Sequence, residues 1–444
     1  MSNQFQLLKQ QRFKPFFLTQ FLGAFNDNVF KTALITLVAF NATSLSGIDG
    51  ATLATLLPGL FILPFFLFSA TAGQIADKFE KSQIIRVVKV FEIAIMLFAS
   101  AGFFLHNIVL LSAALFMMGM HSTMFGPVKY SYLPQHLRQH ELIGGNGLIE
   151  MGTFVAILLG QVLGAWLATS KNYPLFTSFA ILLIAVLGYC TSRYIPNSPA
   201  ADSALKINWN PLTETVKNVR LIWGNQTLWL AIIAISWFWF FGATVLAQFP
   251  NLAKNVLHGT EGVFILLLSI FSIGIGLGSV LCEKLSCGKV ELGLVMFGAI
   301  GLTLFGGDIY FASLQVVQNN TQSLHTASSF TSYFINWRLL ADIGLMGLFG
   351  GFYIVPLYVL LQTRAKSGYQ SRVIAANNII NAFFMVVSAG FSVLLFSLGF
   401  GVIQLILATA ILNIGVCIYL CIRQPEYFSS FLAWIKLKKI IHKP

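Results

Sequence analysis

The sequence predicts an all-α membrane protein of about twelve transmembrane helices, arranged as two six-helix pseudo-repeats. Three observations lead there. Of the 444 residues 57% are hydrophobic and only 9% charged, whereas soluble domains carry roughly 25% charged residues. So few charges cannot cover a water-facing surface, so lipid must be the solvent for most of the chain. The apolar residues fall in runs of about 20, the length that crosses a bilayer core. The runs divide six and six about one long polar stretch.

The expected spans of the first half are residues 15–40, 52–71, 83–105, 108–130, 142–168 and 174–194. Those of the second half are 228–256, 262–282, 290–311, 335–361, 371–398 and 399–422. The start of the chain is polar and basic and leads into an apolar run too long for a signal peptide, so the first helix is expected to stay as an anchor.

Basic residues mark the cytosolic side of membrane helices. With the N-terminus in the cytosol, all of the 27 Lys and Arg except Lys31, Lys171, Lys254 and Arg338 fall at cytosolic positions. Both termini are therefore expected in the cytosol. The net charge of +12 is spread over these short caps, which excludes a nucleic-acid surface. Cys190, Cys282, Cys287, Cys417 and Cys421 are scattered and near expected cytosolic helix ends, so free thiols are expected rather than disulfides or a metal site. No cofactor motif is present.

The expected organisation is an N-terminal bundle (1–195), a cytosolic linker (196–223), a C-terminal bundle (224–422) and a basic tail (423–444). Within the linker, residues 212–221 read as a short helix on the membrane surface. Residues 313–333 read as an extracytosolic loop. The tail alternates apolar residues with Lys436, Lys438 and Lys439, as an amphipathic helix on an anionic leaflet would; a disordered basic tail is the alternative.

The halves echo each other. GQIADKFEK (73–81) follows the second span and GSVLCEKLSCGK (278–289) the eighth. Pro127 and Lys129 lead to Asn146 and Glu150, as Pro356 leads to Asn377 and Asn381. Parallel six-helix repeats place a substrate site between halves near the bilayer midplane.

Charges at membrane depth are costly and mark pathways or partners. Asp27 and Lys31 lie in the first span at i, i+4, on one face, with Asn26 and Asn28 beside them. They read as transport residues or as a self-neutralising structural pair. Lys129, Glu150, Gln161, Gln248, Asn377, Asn378 and Asn381 are further polar candidates, with packing between helices as the alternative. Arg338 and Asp342 stand at another i, i+4 spacing, with snorkelling of Arg338 to the extracytosolic end as the alternative, and His121 is a lone histidine open to proton transfer or plain hydrogen bonding.

GQIADKFEK resembles the major facilitator signature Gly-x-x-x-Asp-Arg/Lys-x-Gly-Arg/Lys, with Glu80 in place of the second glycine. The resemblance implies a major facilitator fold and a gate in which Gly73, Asp77 and Lys78 engage the start of the eleventh helix near Arg372. The strings QFLGAFNDN (20–28), GPVKYSYLP (126–134), NGLIEMGTFVAILLGQVLGAWLA (146–168) and GGFYIVPLYVLLQ (350–362) are more specific. They resemble the bacterial lysophospholipid transporter family, and the transporter portion of proteins in which that unit is fused to acyltransferase and acyl-carrier-protein synthetase domains.

That resemblance implies a flippase, not an enzyme, moving lysophospholipid to the inner leaflet. It puts Asp27, Lys129 and Glu150 at family positions. Where the family carries an Arg in the seventh helix this chain has Gln248, which leaves Lys31 as a replacement cation. No His-x4-Asp acyltransferase pattern is present, so reacylation would fall to a separate acyltransferase. The remaining partners expected are membrane lipids, with the protein a monomer. Trp237 to Phe241, Phe383 and Phe384 are candidate apolar walls for an acyl chain, or lipid-facing bulk. The competing reading is a transporter of a small metabolite such as a siderophore, proton-coupled through Asp27; a non-transporting anchor would have no need of Asp27 or Glu150.

Overall fold

A computed structural model describes residues 4–45, 50–286, 288–319, 324–366 and 368–441, with side chains described outside 39–55 and 437–441. The first half holds α1 (Lys14–Leu45), α2 (Gly50–Lys78), α3 (Lys81–Phe104), α4 (Ile108–His136), α5 (Leu142–Ala168) and α6 (Tyr173–Ser192). The linker contains α7 (Pro211–Trp223). There follow α8 (Gln226–Asn251), α9 (Glu261–Ser286), α10 (Leu292–Asn319), the short α11 (Ala327–Ser332), α12 (Asn336–Arg364), α13 (Gln370–Ser397), α14 (Val402–Arg423) and the tail helix α15 (Glu426–Ile441).

Among the described residues eleven helices are long and apolar enough to cross a membrane. With its 32 residues α1 is long enough to be the twelfth, but Asn26, Asp27, Asn28 and Lys31 lower its hydropathy. The protein is a multi-pass membrane protein. Local chemistry sets the helix ends. Asn107 caps α4 by accepting from the N–H groups of Val109 and Leu110, and Asn210 caps α7 ahead of Pro211, satisfying donors that the first turn leaves open.

Several expected boundaries move. The GQIADK segment is helical and forms the last turns of α2, since nothing breaks the helix before Glu80 turns extended to cap α3. Lys129 lies within α4 rather than at its end, because α4 runs on to His136 through Pro134. The expected 313–333 loop is largely helix, occupied by the end of α10 and by α11. Cys190, Cys282, Cys417 and Cys421 are free thiols; Cys287 lies outside the described residues.

The chain forms two compact units. Unit 1 comprises Met1–Arg138, Val155–Leu228 and Leu361–Ala382; unit 2 comprises Gln139–Phe154, Trp229–Leu360 and Phe383–Pro444. In unit 1, Phe30 and Leu34 of α1, Met96 and Ala99 of α3, Leu115 and Met118 of α4 and Ile181 of α6 share one buried core. In lipid, burial of apolar surface does not drive such packing; close contact does. Both units use glycine for it: in unit 1, Gly119 of α4 meets the Phe61 carbonyl of α2 and Gly164 of α5 the Val29 carbonyl of α1, and unit 2 does the same. Gly278 of α9 meets the Leu348 carbonyl and Gly351 of α12 the Ser279 amide so closely that a methyl group on either would collide. The tail helix also belongs to unit 2: Tyr427 is fully buried, and the Trp434 indole donates to the Leu285 carbonyl at 3.0 Å.

Candidate functional site

The end of α2 presents polar groups about one turn apart, and each holds the linker. Gln74 exchanges two hydrogen bonds with the Asn208 backbone, at 3.1 and 2.8 Å. The Asp77 carbonyl accepts from Asp202 N–H at 2.9 Å. The Glu80 carboxylate accepts from Ser198 N–H at 2.6 Å. It also accepts from the Ser82 N–H, the Ser82 hydroxyl and the Gln83 N–H at 3.0, 2.8 and 2.9 Å. Glu80 stands where the signature has glycine, and its work here is that of an N-cap. Partial burial opposes its ionisation. The hydrogen bonds from Ser198, Ser82 and Gln83 outweigh that and hold its carboxyl below the ordinary value.

The Asp77 side chain turns the other way and is fully buried. Its two oxygens accept from Ser371 N–H at 3.1 Å and from Arg372 Nε at 2.9 Å. A carboxylate on the first N–H groups of α13 also meets the positive end of that helix dipole. Arg372 is held further by the Gly368 carbonyl at 2.8 Å and by the Tyr369 ring, 4.0 Å away. Gly73 makes the approach feasible: a methyl group there would lie 2.6 Å from the Ala375 side chain. Gly73, Asp77 and Arg372 thus meet at one point. Lys78 does not join them and stands over the Phe79 ring.

Deeper in unit 1 lies a buried ionic cluster. Lys89 and Glu92 of α3 form an ion pair with almost no exposure. Glu92 also accepts from Asn26 Nδ2 of α1 at 2.7 Å, and His121 Nε2 of α4 lies 3.2 Å from it. Room for Lys89 comes from Gly23 of α1 and Gly188 of α6, where added methyl groups would press on its end. One residue along α1, Asp27 accepts from the Ser122 hydroxyl at 2.6 Å. Its other oxygen is buried with no hydrogen-bond partner among the described residues. Lys31 stands over the Phe61 ring at 5.3 Å. The expected Asp27–Lys31 ion pair is not formed: Asp27 is turned to α4 and Lys31 to α2. Asn28 is buried against its own helix, donating to the Ala24 carbonyl.

Lys129 stands over the Tyr130 ring at 5.0 Å. A turn earlier, Gly126 meets the Asn378 amide, so the GPVK segment packs against the asparagine run of α13. Asn377 is fully buried with neither amide atom hydrogen-bonded among the described residues, and Asn381 is buried.

A family model described as "Major Facilitator Superfamily" matches residues 16–389. The chain belongs to the major facilitator superfamily. Similar relatives include the lysophospholipid transporter LplT of Enterobacter sp. (strain 638), 27% identical over 403 residues, 86% of this chain and 90% of that protein. The LplT of Escherichia coli O157:H7 is 26% identical over 416 residues, 90% of this chain and 94% of that one. Among solved structures, the human organic anion transporter MFSD10 superposes with a TM-score of 0.74 at 12% identity over 92% of this chain and 99% of that one. A bacterial homologue of the iron transporter ferroportin in an outward-facing state gives 0.65 at 15% identity, over 91% and 99%. Those two likenesses establish the fold and nothing finer. The protein is a major facilitator transporter.

Against that family background, unit 2 supplies the remaining candidates. Glu150, about two turns into α5, is buried. Gln248 of α8 is buried and accepts from Asn251 Nδ2 at 3.0 Å. Arg338 does not pair with Asp342. It grips Asp308 of α10 with two nitrogens, at 3.0 and 2.6 Å, because a partner on a neighbouring helix gives the bidentate geometry that i, i+4 spacing does not. The residues that sequence reasoning missed are Lys89, Glu92 and Asp308. For the first two a signal existed: opposite charges three residues apart inside an apolar run.

Proposed function

We propose that this transporter carries lysophospholipid across a bacterial inner membrane to the inner leaflet, by alternating access between an N-terminal and a C-terminal six-helix half. The observation that carries this reading is the extent of the likeness to lysophospholipid transporters, which covers 86–90% of this chain; the strings around Asp27, Lys129 and Glu150 resemble that family. In the proposed topology both termini and the linker face the cytosol, and the linkage of Asp77 to Ser371 and Arg372 is the cytosolic latch. The transporter acts as a monomer, and reacylation falls to a separate enzyme.

A lysophospholipid needs apolar walls for one chain and charged or donor groups for its headgroup. Lys31, Lys129, Asn377 and Asn381 are the groups proposed for the phosphate. The open oxygen of Asp27 suits an amine or a coupling cation. In unit 2, an apolar groove of about 370 Å³ lined by Trp237, Phe384, Leu412 and Tyr419 suits part of an acyl chain.

The test is uptake of labelled lysophosphatidylethanolamine by proteoliposomes with and without the protein. Uptake that depends on the protein, with no uptake of glycerophosphoethanolamine, supports the reading. Efficient transport of the chainless compound, or of a soluble metabolite without competition by lysolipid, overturns it.

A further inference from the structure

The linker helix α7 wears its apolar side outward. Leu212, Val216, Val219 and Trp223 recur at steps of four, three and four, one stripe of an α-helix. Leu212 is 75% exposed, Val216 56% and Trp223 69%. The opposite stripe is Glu214, Asn218 and Ile222, and all three are buried. Glu214 accepts from Asn208 Nδ2 at 3.3 Å, and Asn208 is itself bound to Gln74 of α2. The helix is therefore fixed to unit 1 by the side that carries Glu214 and Asn218, with Ile222 buried beside them. A helix wholly in water would be stable the other way round, so the outward stripe requires a covering.

What covers it is indicated by three further facts. The linker leaves α6 at Ser192 and enters α8 at Gln226, both ends of membrane spans, so α7 lies beside the bilayer surface rather than far from it. Two tryptophans, Trp209 at 71% exposure and Trp223, bracket the stripe, and indoles favour the headgroup level. Lys217 and Arg220 flank it and are exposed. An apolar stripe edged with cations is the pattern of an interfacial helix on anionic lipid.

We propose that α7 lies in the membrane interface with Leu212, Val216 and Trp223 among the acyl chains, and that Lys217 and Arg220 bind anionic phospholipid headgroups. Through Gln74 and Asn208 the same helix then couples the lipid surface to the end of α2 that carries Asp77. That it meets the inner leaflet in cells rests on the topology proposed above; its engagement of lipid does not.

The test uses the full chain with p-benzoylphenylalanine placed singly at Leu212, Val216, Thr213 or Lys217. Each variant is reconstituted in nanodiscs of mixed phosphatidylcholine and phosphatidylglycerol, irradiated and analysed by mass spectrometry. Phospholipid adducts are expected several-fold more at 212 and 216 than at 213 and 217, with phosphatidylglycerol enriched above its share. Lys217→Gln with Arg220→Gln, read from the label at 216, should keep the adducts and lose that enrichment. Equal adducts at all four positions, adducts to a second copy of the chain at 212 and 216, or no enrichment of the anionic lipid would each overturn the proposal. Because nanodiscs present both bilayer faces alike and no transport is measured, failure here is separate from failure of the substrate or topology assignment.

Discussion

In the interior of unit 1 a full ion pair within α3, Lys89 and Glu92, is the hub, with Asn26 from α1 and His121 from α4 drawn in across helices. In unit 2 the corresponding interhelical bonds around α8 are neutral and aromatic. The Trp237 indole donates to Asn413 at 2.7 Å, the Trp239 indole to the Tyr358 hydroxyl at 3.2 Å, and the Tyr353 hydroxyl to the Ala234 carbonyl at 3.2 Å. The bidentate Arg338–Asp308 pair of unit 2 is partly exposed. A buried charge stripped of its partner is costly, so unit 1 tolerates replacement of single partners poorly. Unit 2, whose bonds around α8 are neutral, should lose less for each bond removed.

The contrast is most exposed to a test at Lys89. Lys89→Ala leaves the buried Glu92 without its lysine partner, a loss of about 3–5 kcal/mol, visible as a large drop in thermal stability in micelles. Lys89→Met with Glu92→Gln should recover much of it. A single variant as stable as the parent protein would end the claim that electrostatics specify this unit.

Next in size is Asp77→Asn. It weakens charge-assisted hydrogen bonds worth about 1.5–3 kcal/mol, and each 1.4 kcal/mol is a factor of about ten. Lysophospholipid uptake is expected to fall at least about tenfold while the protein still inserts. Exchanging the charges, Asp77→Arg with Arg372→Asp, should not restore it, because Ser371 N–H still needs an acceptor. Full rescue by the exchange would reduce Asp77 to a simple ion-pair partner.

Trp237→Phe sharpens the comparison from the other side. It removes one neutral hydrogen bond, worth about 1 kcal/mol, and keeps the stacking on Phe240. A melting-temperature loss as large as that of Lys89→Ala would abolish the distinction between the units.

The smallest effect is at Glu80, on the surface side of unit 1. Its folded carboxyl titrates below the ordinary value of 4.5. The stability it adds is therefore complete above that value and is lost as pH falls through the depressed one. Acid melting curves of Glu80→Gln should lie nearer to those of the parent protein at low pH than at neutral pH. A gap that widens on acidification would contradict the sign.

The membrane spans were legible because apolar run length and basic caps are local properties. The meeting of Asp77 with Arg372 was legible through a signature, although the signature alone put Asp77 in a turn rather than on the last turns of α2. Lys89 was hidden because a lysine near a span's start reads as a topological cap; only the fold shows the notch at Gly23 and Gly188 that accepts it. Arg338 was matched to Asp342 by spacing, while its partner Asp308 lies thirty positions away, a separation over which no periodicity speaks. Glu80 read as a departure from a motif because a cap is recognised from backbone geometry.

The linker fastening at Gln74, Asp77 and Glu80 has a practical consequence for dissecting the protein. Residues 198–208 are bonded along α2, so a chain break there would leave a bound strand with loose ends. Gly224 is exposed, closes α7 and precedes the Asn225 side chain that caps α8. Two coexpressed fragments divided at Gly224 should reassemble into a working transporter, whereas fragments divided at Asp202 should not.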